Sequence, residues 1–274
     1  MTRKLLAIGG GENGRPLGNG KFALYETEPM DKEIIKLTGK ENPNFLFIAH
    51  SQASSIEVQE CYYQTMKKIY GEKFGCNCQD LKSSELEDIE KVKVKINWAD
   101  IIYEGGGDTL TMIELWKNTG FDKILYEAWN NGQVICGISA GAVCWFKSCN
   151  SDSLITQTGQ KNSLVSVDCL GWLNAHLTPH CDETGRYETT IEQLRKNGLI
   201  GIMLSNCAAL EIIDNQYRMI ISDSKGHNIE KAYGLKAYWN KDEYREERIT
   251  LSNEFEDIAR LLNKEVVFNF EEER

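Results

Sequence analysis

Apolar positions in the first half of the chain follow two alternating rhythms. Short unbroken runs at Lys4 to Ile8, Phe45 to Ala49, Ile101 to Glu104 and Val134 to Cys136 suit strands buried on both faces of a parallel sheet. Between them lie stretches of helical spacing: Asp31 to Leu37, closed by Gly39 and Pro43, then Ile56 to Tyr70, then two helices at about 109–118 and 121–130. In the last of these, Phe121, Ile124, Leu125, Ala128 and Trp129 form a stripe that faces a core. Ser84-Glu85-Leu86-Glu87 reads as a capping box opening another short helix. Strand alternating with helix up to Ser139 predicts an α/β fold with a doubly wound, mostly parallel sheet. Past that point the pieces shorten. Strands are expected at roughly Ala175–Pro179, Ile200–Leu204, Ala208–Ile213, Tyr217–Ile221 and Ala232–Trp239, with helices at about 184–196 and at Asn253–Leu262.

No linker, repeat or low-complexity segment divides the 274 residues, so residues 1–274 read as one α/β domain. The net charge of −10 argues against a nucleic-acid partner, since no basic excess exists to neutralise phosphates. No apolar run is long enough to span a bilayer, and Met1-Thr2-Arg3-Lys4 leads straight into a strand without the apolar core of a signal peptide. The nine cysteines are scattered, and Cys76-Asn77-Cys78 is too close-set for a zinc knuckle. Reduced, mostly buried thiols and a cytoplasmic location are expected. The acidic end, Glu271-Glu272-Glu273, reads as a solvated tail.

Candidate chemistry begins with the glycines. Gly9-Gly10-Gly11-Glu12-Asn13-Gly14 matches the dinucleotide pattern Gly-x-Gly-x-x-Gly, but Pro16, Gly18 and Gly20 leave no room for the helix that such a site needs. A glycine-rich loop at a strand end is expected instead. Gly137-Ile138-Ser139-Ala140-Gly141 matches the elbow Gly-x-Ser-x-Gly, in which a serine nucleophile sits on a sharp strand-to-helix turn, here leading into a helix at about Ala140 to Phe146. A serine hydroxyl needs a base, a group that orients the base, and oxyanion donors. Four histidines are available. His50 ends a strand, His227 lies in a polar turn, and His176 and His180 share one face of a strand, so periodicity does not choose between them. His180 ends that run, where a catalytic group would emerge from the sheet. Asp152 is a candidate orienting acid, with Asp168, Glu183 and Glu211 as rivals. Gly105-Gly106-Gly107 can place an N–H near an acyl oxygen, with Ala140 N–H as the second donor.

Three motifs, Gly105-Gly106-Gly107-Asp108-Thr109, Gly137-Ile138-Ser139-Ala140-Gly141-Ala142 and Thr178-Pro179-His180, stand in the order and rough spacing of the dipeptidase E and cyanophycinase family of serine peptidases. The chain resembles that family over about residues 44–222, with additions at about 11–43 and 239–274 that can reshape the pocket or supply an oligomer contact such as a homodimer's. The resemblance implies a flavodoxin-like or class I glutamine-amidotransferase-like three-layer sandwich. It also implies a cytoplasmic exopeptidase acting on small peptides without metal or other cofactor. Carried over by position, Ser139 is the nucleophile, His180 the base, Gly107 an oxyanion donor, Asp152 the triad aspartate and Arg186 a holder of substrate carboxylate. Asp108 stands where dipeptidase E carries asparagine. A carboxylate there repels an acidic substrate side chain unless Arg186 pairs with it, so weak Asp-X selectivity is expected, and a gain of selectivity on Asp108→Asn. An esterase or amidase on small acyl compounds is the second reading, and a non-catalytic ligand-binding protein on the same fold the third.

Overall fold

A computed structural model describes residues 1–159, 164–223, 226–227 and 230–264, without the side chain of Thr156. Its larger sheet has eight strands. Five of them run parallel, in the spatial order Asn77–Leu81, Asn44–Ile48, Ile101–Glu104, Val134–Ile138 and Lys4–Ile8. Ala208–Ile213, Gln216–Ile221 and Glu256–Asp257 extend it in antiparallel fashion. The unbroken apolar runs explain why these strands are central, because successive side chains feed opposite cores. Leu5, Leu46, Ile102 and Ile135 pack with the helices Ile89–Trp98, Thr109–Thr119 and Phe121–Asn130. Their neighbours Leu6, Phe47, Ile101 and Val134 pack with Glu28–Leu37 and Ile56–Met66 on the other side. The result is the expected α/β architecture of helices on both faces of a largely parallel sheet.

The second half departs from the expectation by building a sheet of its own. Six strands lie in the order Glu243–Arg248, Gly234–Asn240, Gly201–Leu204, Leu173–Thr178, Phe146–Ser151 and Val165–Asp168. The helix expected from Ala140 to Phe146 ends at Val143, and a strand begins at Phe146. Packing decides this. Trp145 is buried against Trp116 and Trp172, with ring centroids 5.8 and 4.8 Å away, and the chain must straighten to deliver it. The polar strand Asn77–Leu81 and the charge-rich Glu243–Arg248 lie at sheet edges, where apolar patterning is weak. The capping interaction near Ser84 is shifted, since the Glu85 carboxylate accepts the Lys82 N–H at 2.8 Å and the next helix is capped by Asp88. Ile56–Met66 continues as a π-helix over Lys67–Lys73, and the terminal helix is only Ala259–Leu262. The acidic run Glu271–Glu273 lies outside the described residues.

Five segments converge at the carboxyl ends of the strands and are stitched there through backbone. Ser139 N–H donates to Ile8 O at 3.0 Å, His180 N–H to Gly9 O at 3.2 Å, and Cys207 N–H to Gly10 O at 2.9 Å. Gly141 N–H donates to Gly105 O at 3.1 Å. No helix follows the Gly9–Gly14 loop before Glu28, as the prolines and glycines imply. Behind the Gly105–Gly107 turn lies Glu104, fully buried, whose carboxylate accepts the N–H groups of His50 at 3.2 Å and Ser51 at 3.0 Å. Burial pushes its pKa up to about 8, against the pull of these donors. Ser51 O accepts the Asp108 N–H at 2.9 Å, which fixes the far end of the same turn.

Removing that carboxylate leaves two buried N–H groups without their acceptor. Glu104→Ala is expected to lower unfolding free energy by about 2–5 kcal/mol in urea titrations. Exposed Glu41→Ala should stay within about 0.5 kcal/mol of the parent. Equal stability of parent and Glu104→Ala would show that the turn is held by other contacts.

Candidate active site

Ser139 follows the strand Val134–Ile138 with φ 55° and ψ −113°, a conformation that thrusts its side chain out of the sheet edge. Small residues make the bend feasible. A Cβ on Gly141 would lie 2.1 Å from Glu104 O, and one on Gly137 would lie 2.5 Å from the same atom. The elbow therefore needs both glycines.

His180 comes two residues after the strand Leu173–Thr178, beyond Pro179, and also has a positive φ of 49°. Its Nε2 lies 3.0 Å from Ser139 Oγ, and its Nδ1 lies 2.7 Å from Asn206 Oδ1. Asn206 is oriented in turn by Asp182, whose carboxylate accepts its backbone N–H at 2.7 Å and its Nδ2 at 3.1 and 3.2 Å. A carboxylate only accepts, so Asn206 must turn its amide nitrogen to Asp182 and its oxygen to His180. The imidazole then carries its proton on Nδ1 and presents a lone pair to the Ser139 hydroxyl. Burial holds the His180 pKa below its usual 6.5, with Glu183 pulling upward and Arg186 pushing further down. Gly10 admits the imidazole, since a Cβ there would be 2.2 Å from both His180 Nδ1 and Asn206 Oδ1.

Asp152 is placed differently from its expected role on the imidazole. Its Oδ2 accepts from the Arg186 guanidinium at 2.8 Å, while the Nδ1 position on His180 is taken by Asn206. Arg186, buried at the start of the helix Arg186–Asn197, also donates to Glu183 at 3.4 Å, so these two acids, and not Asp108, engage it. Asp108 has another task. It caps the helix Thr109–Thr119, accepting from Thr111 N–H at 3.2 Å, Thr111 Oγ1 at 2.7 Å and Gln157 Nε2 at 2.9 Å. Burial raises its pKa, but hydrogen bonds from Ser153, Thr111 and Gln157 outweigh burial and hold it below the usual carboxylate range.

Of the rival acids, Glu183 Oε1 stands 3.5 Å from His180 Nδ1, Glu211 is paired with Arg218 at 2.6 Å, and Asp168 lies exposed on an edge strand. His50 and His176 are buried. His50 bonds Trp116 Nε1 at 2.9 Å and Leu81 O at 2.8 Å, and His176 bonds Ser148 Oγ at 2.9 Å. Burial lowers the pKa of each to about 4. His227 pairs with Glu26 at 2.9 Å. Asn206 and Asp182 lie outside the expected set, because an amide carries no signal of an orienting acid and Asp182 acts on His180 only through it. Their only sequence signal is position, just beyond the strand Gly201–Leu204 and just after His180.

The three glycines divide their work. Gly105 N–H donates to Ile48 O at 3.1 Å, and Gly106 N–H to Tyr62 Oη at 3.3 Å. Gly107 packs on Ser51 so tightly that a Cβ would lie 2.5 Å from Ser51 O. Two pockets flank the Ser139–His180 pair. One, of about 380 Å³, is lined by Gln52, Gly107, Asp108, Ser139, Asp152 and Gln157 among others. The other, of about 530 Å³, includes Glu12, Arg15, Tyr62, His180, Asn206 and His227.

The model of peptidase family S51 matches residues 17–220. Over 213 residues the chain is 30% identical to the uncharacterized peptidase YgaJ of Bacillus subtilis (strain 168), covering 77% of this chain and 87% of that one. It is 28% identical over 138 residues to an uncharacterized peptidase of Listeria monocytogenes serovar 1/2a, covering 50% of this chain and 66% of the relative. The crystal structure of a peptidase from an acI-B1 Actinobacterium shares the fold, with a TM-score of 0.67 at 18% identity over 94% of this chain and 97% of the other. A family match across most of the chain, joined to a relative similar over nearly its whole length, assigns this chain to peptidase family S51.

Proposed function

We propose that the chain is a serine exopeptidase of short peptides in which Ser139, His180 and Asn206 carry the chemistry. The hydrogen-bonded series Ser139–His180–Asn206–Asp182 supports this reading above all else. Ser139 Oγ attacks the scissile carbonyl as His180 Nε2 takes its proton. The proton then passes to the leaving amine, and an acyl-enzyme remains. Water attacks the acyl carbon by the same route in reverse and frees the serine. Asn206 takes the orienting role expected of Asp152, fixing the tautomer through a neutral acceptor. Gly107 and Ala140 N–H are the proposed oxyanion donors, since the neighbouring N–H groups of Gly105, Gly106 and Gly141 are committed within the fold. Asp108, held ionised by hydrogen bonds from Ser153, Thr111 and Gln157, puts a negative charge in the pocket beside Ser139, which favours the ammonium group of a peptide's free amino end. Arg186 is engaged by Asp152 and Glu183, so an acidic first side chain gains little from it.

Ser139→Ala is expected to cut hydrolysis of Asp-Leu, Asn-Leu and Ala-Leu by roughly 10⁴-fold or more and to abolish labelling by a fluorophosphonate probe. The parent should favour Asp-Leu by no more than about tenfold in kcat/KM. Full turnover by folded Ser139→Ala would remove the nucleophile from this scheme.

The two candidate orienting residues separate cleanly. Asn206→Ala should lower kcat by on the order of 10²-fold with little change in KM, whereas Asp152→Asn should cost less than about tenfold. The reverse ranking, in steady-state kinetics on folded variants, would return the role to Asp152.

The base must be neutral to accept a proton, and burial lowers the pKa of His180. Activity should therefore rise with pH through a midpoint below 6.5 and be lost on acidification beneath it. A midpoint at or above 6.5 in the kcat/KM profile would contradict this environment for the imidazole.

A further inference from the structure

Beside the catalytic series, and outside it, three side chains from distant parts of the chain meet. They are Glu26, just before the helix Glu28–Leu37, Cys207, between the strands Gly201–Leu204 and Ala208–Ile213, and His227. One ligand atom of each lies within 4.8 Å of the others. Glu26 and Cys207 are buried, and the His227 side chain is 20% exposed. Backbone holds the carboxylate from two sides: Oε2 accepts Glu12 N–H at 2.9 Å and Oε1 accepts Gly226 N–H at 2.9 Å. Oε2 also takes His227 Nε2 at 2.9 Å, and the Cys207 thiol bonds the same carboxylate, so all three side chains already meet at it. Gly226 allows this approach, since a Cβ there would stand 2.8 Å from Glu26 Oε1. Gly11 leaves open the space facing the thiol, where a Cβ would be 3.6 Å from Cys207 Sγ.

We propose that Glu26, Cys207 and His227 form a binding site for one thiophilic divalent cation of the zinc type. A thiol, an imidazole and a carboxylate are the donor set such an ion prefers over hard cations, which favour oxygen alone. The ligand atoms of a tetrahedral zinc site stand roughly 3.3–3.8 Å apart, given bonds of about 2.0–2.3 Å. Closing from the present separations takes side-chain adjustments of about an ångström. On binding, Cys207 loses its S–H proton to solvent, and the proton that His227 Nε2 donates to Glu26 is released, the ring keeping its N–H on Nδ1, so that Nε2 offers its lone pair. The direct His227–Glu26 hydrogen bond, 2.9 Å long, is then replaced by two bonds to one ion. Of the three ligands, His227 also lines the pocket of about 530 Å³, together with Gly11, Glu12 and Asn206. The cation ties His227 to the segment carrying Asn206, and so stabilises the folded chain by linkage.

Cobalt(II) is the probe, because a tetrahedral cobalt–thiolate bond gives an intense near-ultraviolet charge-transfer band. The full chain, reduced and freed of metal, should bind one equivalent with that band, release it to zinc, and show a higher Tm when zinc is present. Cys207→Ser, with the parent's circular dichroism, should lack the band and the Tm shift. His227→Ala should weaken cobalt binding at least tenfold, on the scale of a lost ligand contact. Cys61→Ser, which removes the exposed thiol, should change neither result. Absence of the band at one equivalent in the parent overturns the site, as does its persistence in folded Cys207→Ser or unchanged affinity in His227→Ala.

Discussion

Close approach of bare backbone at the carboxyl ends of the strands is the constraint from which the rest follows. Gly9 and Gly10 lie against Leu204, Ser205, His180 and Asn206 at separations of 2.2 to 2.9 Å from an added Cβ, and Gly137 and Gly141 lie equally close to Glu104 O. Contacts that short exclude every side chain. They let segments from both sheets exchange N–H···O bonds, so the serine from one sheet meets the histidine and asparagine from the other. The reacting groups are thus placed by main chain and not by long side chains. This limits the loss of rotamer freedom on ordering them.

The hydrogen-bond order then sets the electronics. Asp182 fixes the amide of Asn206, Asn206 fixes the tautomer of His180, and His180 receives the serine proton. A neutral amide supplies orientation but no full charge beside the imidazole, and the carboxylate stands one residue further away. Arg186 sits between Asp152 and Glu183, confining two nearby negative charges within an ion-paired group. The site therefore separates the task of aiming the base from the task of balancing charge.

Much of this was legible in the chain. The strands at Lys4, Phe45, Ile101 and Val134 are readable because short unbroken apolar runs suit strands covered on both faces of a parallel sheet. Ser139, His180 and the glycine turn were found because turn chemistry is written in small residues at fixed spacing. The second sheet was legible only in its strands Leu173–Thr178, Gly201–Leu204 and Gly234–Asn240, since Phe146–Ser151, Val165–Asp168 and Glu243–Arg248 alternate weakly and take their form from tertiary partners such as Trp116 and Trp172. Asn206 stayed hidden for a chemical reason, because pattern reading seeks a titratable third member and an amide gives no such signal. Asp108 and Arg186 suggest substrate contacts in the sequence, yet their first commitments are a helix cap and buried ion pairs, roles that depend on distant neighbours.

Ser139, His180 and Cys207 share one further property: all three have left-handed φ values, of 55°, 49° and 61°, and they cluster where the sheets join. Each such residue stores of order 1–3 kcal/mol that only intact surroundings can hold. Strain of this kind is released by local opening, well before the two sheets come apart. Warmed gradually, the molecule should then lose its reacting geometry while its secondary structure persists. Heat inactivation would precede melting, and the working temperature range would be set by the junction and not by the core.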